Sequence, residues 1–485
     1  MSRVSEVFFI DATQGGLDFV DVDVSTDVPV YIDPGAIRAQ DGLWIEECQQ
    51  SLQSFFGELL AAIARDDKVR IGDLIFPLVE PNETHLGSSV GNSRGIGLGN
   101  RTKAAKLIDA LRTSKAAKSG FLRDLDDTAL LVPGVDRDIV SDITTSVIRA
   151  HLIEYTQNMA RFHEIPMEQQ QSGPYWDAST KKWEEGLVDL PRAENDKLLL
   201  VPKSIVRANL TVDKGKYYRG YLRPYYEQME LNDPSSDLVR ILKNKKRKVD
   251  LGRLDERLGT NKAAIVNHTE SFPSALREYR ANLDASANAP LADEELHNKI
   301  ATPRVNVRDL LDSVKAIAPG PGGATLYHRA VAKLFTALFD TSLANMAIEQ
   351  ELHVGLKRID IRFDNVASDG FFAWLGKHYP SAFVVVECKN YGKEVGNPEF
   401  DQLAMRFAPT RGQVGILAVR TLDDREKAFA RAKAIADDGH GYVIVLDDTD
   451  LEDLVGEYET QFETFSLGPR KLEVVRAQFE KLVGF

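Results

Sequence analysis

Two carboxylates and one amine stand at the ends of neighbouring apolar segments, where they could take part in chemistry. Residues 358–363 alternate apolar and polar side chains, which predicts a half-buried strand with Asp360 on its polar face. Residues 383–389 form an apolar run that ends in Glu387 and Lys389, which predicts a central strand with both charges on one face. Because a buried charge without a partner is unfavourable, this arrangement indicates a cation site.

The two carboxylates are suited to magnesium. Mg2+ prefers one or two carboxylates together with water and substrate phosphate oxygens, and Asp360 and Glu387 would supply the carboxylates. The ion would lower the pKa of a bound water and stabilise the charge that develops on phosphorus. Lys389 would orient that water or neutralise the pentavalent phosphorane. The predicted chemistry is hydrolysis of a phosphodiester.

The same residues resemble a known family. Asp360, followed on the next predicted strand by the triplet 387–389, resembles the PD-(D/E)XK superfamily, which has the restriction-endonuclease-like fold. The residues at 355–360 and 387–391 are similar to its Mrr-like branch, and 401–403 resemble a helix that often contributes a supporting glutamine. The resemblance covers residues 322–451.

The resemblance implies cleavage of phosphodiesters, most often in DNA, with Mg2+ as cofactor and Mn2+ as a substitute. It implies metal ligands at Asp360, Glu387 and the backbone carbonyl of Cys388, and catalytic or supporting roles for Lys389 and Gln402.

One position departs from the family pattern. The helix before the site often carries a glutamate after its tyrosine, and here Tyr327 is followed by His328. The fourth ligand is therefore open, with Glu349 or Glu351 as substitutes. The alternative interpretation of the whole site is a surface salt bridge or an inactivated relic.

Length, net charge and cysteine content limit the kinds of protein that this chain could be. The chain has 485 residues, enough for two or three domains, and a net charge of −13. Its acidity disfavours indiscriminate DNA binding, so that any DNA surface must be a local patch, completed or not by oligomerisation. The two cysteines, Cys48 and Cys388, exclude a disulfide framework, and no apolar run approaches the roughly 20 residues that span a bilayer. We expect a cytoplasmic protein.

Three segments before residue 285 are candidates for phosphate or nucleic-acid contacts. Glycines cluster at 87–99 near Arg94 and Arg101, where a mobile loop is the alternative. Tyrosines and arginines interleave at 217–226, a pattern that also fits a packed helix face. The dense basic run at 243–248 is either a solvated helix end or a phosphate-binding patch; its nucleic-acid candidates are Lys245, Lys246, Arg247 and Lys248.

The remaining pattern predicts local structure. Helical spacing of apolar residues predicts helices at 44–64 and 102–111, and a helix that starts near 143 and continues to 162. The acids of 136–142 are expected to cap that helix, and a second metal site or a ligand or partner contact is the alternative. Asp21 and Asp23 are expected on a solvent-facing strand edge, and a metal site is the alternative. Predicted strands before residue 285 are 7–10, 20–24, 29–35 and 198–202.

The fold class predicted is α/β. After residue 322 the order helix, three strands, helix, strand, helix, strand fits a restriction-endonuclease-like mixed sheet flanked by helices. We expect a larger α+β sensing, regulatory or assembly region at 1–285, a linker at 286–321 and the nuclease-like domain at 322–485.

The function predicted is that of a Mg2+-dependent DNA endonuclease whose N-terminal region regulates it, by analogy a prokaryotic defence effector against phage or foreign DNA. A duplex has two strands, so we expect a dimer or higher homo-oligomer. A protein or nucleotide activator is compatible with such regulation. The alternatives are a catalytically silent nucleic-acid-binding or assembly protein, and an RNase toxin.

Overall fold

The structure is a computed structural model that describes most of the chain. The backbone is described over 3–78, 81–87, 101–194, 196–285, 290–302, 304–352, 357–409, 412–463 and 472–484. Within these ranges the side chains of 101–106, 284–285, 293, 348–352, 357–360 and 462–463 lie outside the description.

The region before residue 286 is mainly helical. Its helices are α1 (Val4–Val7), α2 (Pro34–Arg38), α3 (Leu43–Ala64), α4 (Lys68–Ile75), α5 (Arg101–Thr113), α6 (Lys115–Lys118), α7 (Asp126–Leu131), α8 (Arg137–Val147), α9 (Arg149–His163), α10 (Lys214–Tyr217), α11 (Arg223–Asn232), α12 (Leu251–Leu258), α13 (Lys262–Ser271) and α14 (Pro273–Ala285). One π-helical turn, Tyr218–Leu222, joins α10 to α11.

Short antiparallel pairs accompany these helices. The strands are β1 (Tyr31–Ile32), β2 (Glu168–Gln171), β3 (Tyr175–Asp177), β4 (Lys182–Glu184), β5 (Leu187–Leu190), β6 (Arg192–Ala193), β7 (Asp196–Lys197), β8 (Val206–Arg207), β9 (Val239–Ile241) and β10 (Arg247–Val249). They form the two-stranded sheets β1–β8, β2–β5, β3–β4, β6–β7 and β9–β10.

The C-terminal region is built on one five-stranded mixed sheet, in the order β11-β12-β13-β14-β15. Its strands are β11 (Leu343–Leu352), β12 (Lys357–Asn365), β13 (Phe383–Lys389), β14 (Val414–Val419) and β15 (Tyr442–Leu446). The pairs β11–β12 and β12–β13 are antiparallel, whereas β13–β14 and β14–β15 are parallel. The prediction of a mixed α/β fold is confirmed at this level.

Helices precede and cover the sheet. They are α15 (Asp293–Ile300), α16 (Val307–Ala316), α17 (Ala324–Leu338), α18 (Gly370–His378), α19 (Asn397–Ala404), α20 (Arg425–Asp437), α21 (Asp448–Glu463) and α22 (Glu473–Val483).

Strand β13 is covered on both faces, which explains its unbroken apolar sequence. Val384 and Val386 belong to the hydrophobic cluster that contains side chains of α17 and α21. Val385 belongs to a second cluster, with side chains of α19 and α20. Because successive side chains of a strand point to opposite faces, Glu387 and Lys389 share the α19 side with Val385.

The N-terminal region packs directly on the sheet, where polar contacts join it to β11 and β12. Buried Asp18 accepts hydrogen bonds from the Tyr155 hydroxyl (2.7 Å) and from the backbone N–H of Met346 in β11 (3.1 Å). The Ser204 hydroxyl donates to Asn345 Oδ1 at 2.5 Å, and the same asparagine donates to Asp364 Oδ2 at 3.1 Å. One hydrophobic cluster contains buried side chains of both regions.

Asp364 makes this contact sensitive to pH. Burial raises its pKa to about 7, against the lowering effect of nearby Arg362. The folded carboxyl binds a proton more tightly than the unfolded one, so the contribution to stability is full at low pH and declines as pH rises from about 4 through 7.

We expect Asp364→Asn to remove this decline, because asparagine keeps an acceptor for Asn345 and cannot ionise. The free energy of unfolding of the variant, minus that of the unmodified chain, should be larger at pH 8 than at pH 5 by an amount on the order of a few kcal/mol. Urea unfolding at the two pH values measures the difference. Asp369→Asn, at an exposed aspartate nearby, is the control; equal pH slopes for all three proteins would contradict the prediction.

Several predictions for the N-terminal region are wrong. Residues 7–10 contain the end of α1 and a turn, only Tyr31–Ile32 of 29–35 forms a strand, and 20–24 and 198–202 form isolated bridges rather than strands. Asp21 and Asp23 are buried rather than solvent-facing, because Asp21 accepts from the backbone N–H and hydroxyl of Ser5.

Helices were predicted more closely. The helix at 44–64 is confirmed as α3, and 102–111 lies within α5. The helix expected from 143 to 162 is two helices, α8 and α9, that break at Ile148, with Asp136 as the N-cap of the first. The sequence pattern did not predict α18 or α21.

Candidate functional site

The carboxyl end of β13 brings together three of the predicted residues. Lys389 Nζ lies 2.7 Å from Glu387 Oε1 and donates a hydrogen bond of 3.1 Å to Gln402 Oε1. Glu387 is 1% exposed, whereas the Lys389 side chain is 13% exposed. Gln402 lies on α19, which packs against the strand next to β13. A buried carboxylate therefore stands beside an ammonium group that still reaches solvent.

Arg406 is a member of this cluster that the sequence analysis missed. Its guanidinium forms an ion pair with the other carboxylate oxygen of Glu387, and its side chain is 6% exposed. Arg406 follows Gln402 by four residues, and the backbone continues past the end of α19 as a turn in which Arg406 N–H donates to Leu403 O. Spacing by four places side chains on one side of a helix, and this was the available signal.

His328 contacts the backbone of the site. In α17, its Nε2 lies 3.1 Å from the carbonyl oxygen of Cys388, the carbonyl that the family resemblance implies as a metal ligand. Its neighbour Tyr327 is buried under the Arg420 guanidinium, 5.2 Å from the ring centre, and burial raises the Tyr327 pKa well above its usual value. His328, at the position where the resemblance would place a glutamate, thus lies beside the carboxyl end of β13.

The loop before α17 is tied to the end of β13. The Asn390 side-chain amide donates to the carbonyls of Ala318 and Gly320, at 2.9 and 3.0 Å. The Gly320 N–H donates in return to the Asn390 carbonyl at 2.6 Å. These bonds fix the start of the helix that carries His328 relative to the strand that carries Glu387.

The other predicted ligands fall outside the described side chains. Asp360 lies on the backbone of β12, and Glu349 and Glu351 lie on that of β11, but their side chains are not among those described. The distance between the Asp360 and Glu387 carboxylates therefore lies outside the description.

The described oxygen donors at the carboxyl end of β13 are one carboxylate and one carbonyl. Among the described side chains, no group of three His, Cys, Asp or Glu could hold a metal ion. Oxygen donors of this kind suit Mg2+, and Glu387 with the Cys388 carbonyl supplies two of them. Lys389 and Arg406 balance the charge of Glu387, so an ion there would compete with a guanidinium.

The other candidate segments have separate outcomes. The glycine-rich loop with Arg94, and the Arg101 side chain, lie outside the described residues. The tyrosine segment is packed: Tyr217 and Tyr221 each place their ring 5.1 Å from that of Tyr279. The basic run is not a helix end, because it forms the turn and second strand of the hairpin β9–β10.

Both cysteines are buried and free, and Cys388 lies in a buried strand as predicted. In the part of the chain that the structure describes, no helix has the length and apolar character needed to cross a membrane.

Comparison with known proteins identifies part of the chain only. Residues 9–213 match a family model described as a domain of unknown function, DUF8370. Neither the curated proteins nor the solved structures contain a match. The matched segment ends before the five-stranded sheet begins.

Proposed function

We propose that this chain is a metal-dependent nuclease that hydrolyses phosphodiester bonds in DNA at the carboxyl end of β13. The observation that carries the proposal is the position of Lys389 Nζ, within 3.1 Å of both Glu387 Oε1 and Gln402 Oε1. A buried strand that ends in an acid and a base, with a glutamine from the adjoining helix, is what the restriction-endonuclease-like resemblance predicts. The restriction-endonuclease-like fold itself is part of the proposal.

Magnesium would be held by Glu387, the Cys388 carbonyl and Asp360, and when bound it would activate a water and stabilise negative charge on phosphorus. The backbone register supports the role of Asp360. Ile361 of β12 is opposite Val386 of β13 in an antiparallel pair. Continued by one residue, the same register brings backbone positions 360 and 387 opposite each other.

Lys389 is the residue that would contact the substrate phosphate or the attacking water. An ammonium group has three N–H donors, and Glu387 and Gln402 engage two of them. The third is left for a phosphate oxygen or the attacking water. Because its two neighbours fix the amine in advance, little reorganisation is needed when charge develops in the transition state.

His328 and Arg406 have positioning roles in this proposal. His328 holds the Cys388 carbonyl in place, and Arg406 compensates the charge of Glu387 before substrate and metal arrive. The N-terminal region contacts β11 and, through Asn345, β12, and by these contacts it would regulate the site in response to a protein or nucleotide activator. A homo-oligomer and a role in prokaryotic defence are further expectations.

The ion pair between Arg406 and Glu387 favours a second candidate, a nucleic-acid-binding or assembly protein that has lost catalysis. A guanidinium that permanently occupies the carboxylate would exclude the metal. In that case the sheet would serve only as a binding platform.

The experiment is a cleavage panel on the full chain. Plasmid, single-stranded DNA and RNA are each incubated with Mg2+, Mn2+ or EDTA. We expect DNA cleavage that requires a divalent ion and is lost in Glu387→Gln, while Glu426→Gln, at an exposed glutamate of α20, cleaves normally. Binding without cleavage in every metal would support the platform, and cleavage of RNA alone would support an RNase.

A further inference from the structure

The hairpin β9–β10 is an exposed element with an ordered turn. Ile241 and Arg247 are paired across it, and Leu242 N–H donates to the Lys246 carbonyl at 2.9 Å. Lys245 N–H donates to the Leu242 carbonyl at 2.9 Å, and Lys245 itself has a left-handed backbone with φ of 62°. Residues 240–248 are all exposed.

The base of the hairpin is held by a small core of its own. Leu238, Val249 and Leu254 form a hydrophobic cluster separate from the main one, and Asp250 N–H donates to the Leu238 carbonyl at 2.8 Å. Arg240 pairs with Asp250, the residue that follows β10 and caps the start of α12. The exposed turn is therefore carried by a structured base.

The hairpin carries a net positive charge, whereas the whole chain carries a net negative charge. Residues 239–249 contain six basic residues and no acid, in a chain with a net charge of −13. Two of the six are arginines with internal partners: Arg240 pairs with Asp250, and Arg247 donates to the Asp233 carbonyl. The other four are lysines whose ammonium groups contact no acid among the described residues: Lys243, Lys245, Lys246 and Lys248.

We propose that this hairpin binds the phosphate backbone of duplex DNA, a role that deepens the proposed function and takes its substrate class from it. A two-stranded ribbon fits the major groove, which is about 12 Å wide. Lysines that have no ion-pair partner among the described residues need not break an internal ion pair to approach phosphate, and they release counterions from the duplex. Ile241 is 75% exposed on the same ribbon and offers an apolar contact to the groove.

An acidic protein surface, including that of a second copy of this chain, is the competing partner. Duplex DNA is favoured because it carries a charge about every 1.7 Å along its axis, a density that four lysines within six residues can use together. Binding to DNA would also overcome the repulsion expected from the net negative charge elsewhere, since the contact is local.

The test is duplex binding by the full chain in EDTA, so that binding is measured without cleavage. The hairpin variant combines Lys243→Gln, Lys245→Asn, Lys246→Gln and Lys248→Gln, with asparagine at 245 because it tolerates the left-handed backbone. The control variant combines Lys118→Gln, Lys182→Gln, Lys377→Gln and Lys427→Gln, four exposed lysines from other elements. Both variants carry the same change in net charge.

We expect the hairpin variant to bind a labelled duplex at least about tenfold more weakly than the control variant in fluorescence anisotropy. Each phosphate contact contributes about 0.9 to the magnitude of the slope of log K against log salt, so this magnitude should fall by about 2 to 4 in the hairpin variant.

Equal affinity and slope in both variants, no duplex binding by the unmodified chain, or a preference for an RNA duplex would overturn the proposal. Self-association lost only in the hairpin variant, with unchanged duplex binding, would assign the surface to a second copy. EDTA prevents metal-dependent cleavage, so this assay measures DNA binding separately from catalysis. A chain that binds duplex DNA through the hairpin in EDTA, and does not cleave it when Mg2+ or Mn2+ is added, would support this proposal and reject the nuclease.

Discussion

Replacement of Lys389 by alanine should lower the rate of DNA cleavage by about 10²–10³-fold, the usual cost of removing one preorganised group that stabilises transition-state charge. The chain should remain folded, because Glu387 keeps its ion pair with Arg406 after the ammonium group is lost. Metal binding should persist, because the substitution removes no proposed ligand. The expected phenotype is thus a folded protein that binds substrate and cuts it far more slowly.

Single-turnover cleavage of a duplex at saturating Mn2+ measures this effect. Lys393→Ala is the matched control, because Lys393 is an exposed lysine four residues further along and lies over the Tyr391 ring rather than at Glu387. Circular dichroism and thermal unfolding verify the fold of both variants. Cleavage by Lys389→Ala at the rate of the control would remove Lys389 from the mechanism.

Some elements could be predicted because their apolar side chains follow one clear pattern along the sequence. The apolar run that ends in charges predicted a strand at 383–389, which are the bounds of β13, and helical spacing of apolar residues predicted α3. Ile361 and Phe363 of the alternating segment are buried as predicted. The opposite face differs from the prediction, since Arg362 is also buried, with its guanidinium over the Phe383 ring and beside Asp364.

Contacts between distant segments could not be predicted from local pattern. Segments 18–20 and 201–203 bond to each other through single backbone contacts, such as Val20 N–H to the Val201 carbonyl at 3.0 Å, too short a pairing to form strands. Asp21 is buried because Ser5 satisfies it, and a polar residue paired across tertiary structure has no local signature. Arg406 and His328 belong to the same class, since each touches β13 from another element.

Arg406 decides between a competent site and a relic, and Arg406→Met tests which one is present. Methionine keeps much of the apolar stem and removes the charge. Among the described residues, Lys389 would then be the ion-pair partner left to the Glu387 carboxylate, which is 1% exposed. Breaking a buried ion pair on one side typically costs 3–5 kcal/mol, and because Lys389 remains we expect a loss of about 3 kcal/mol in the free energy of unfolding without metal.

A divalent ion should reverse part of that loss if the site binds metal. The ion would replace the missing positive charge, and a ligand that binds only the folded state raises stability as RT ln(1 + [L]/Kd). Millimolar Mn2+ should therefore raise the thermal midpoint of Arg406→Met by more than that of the unmodified chain. Arg149→Met is the control, because Arg149 is 1% exposed and pairs with Glu83, and neither residue belongs to the Glu387 cluster. Its loss should lower stability, and Mn2+ should not restore that stability. Identical Mn2+ shifts in the two variants would mean that Glu387 holds no ion, and the guanidinium would then be a permanent part of a silent site.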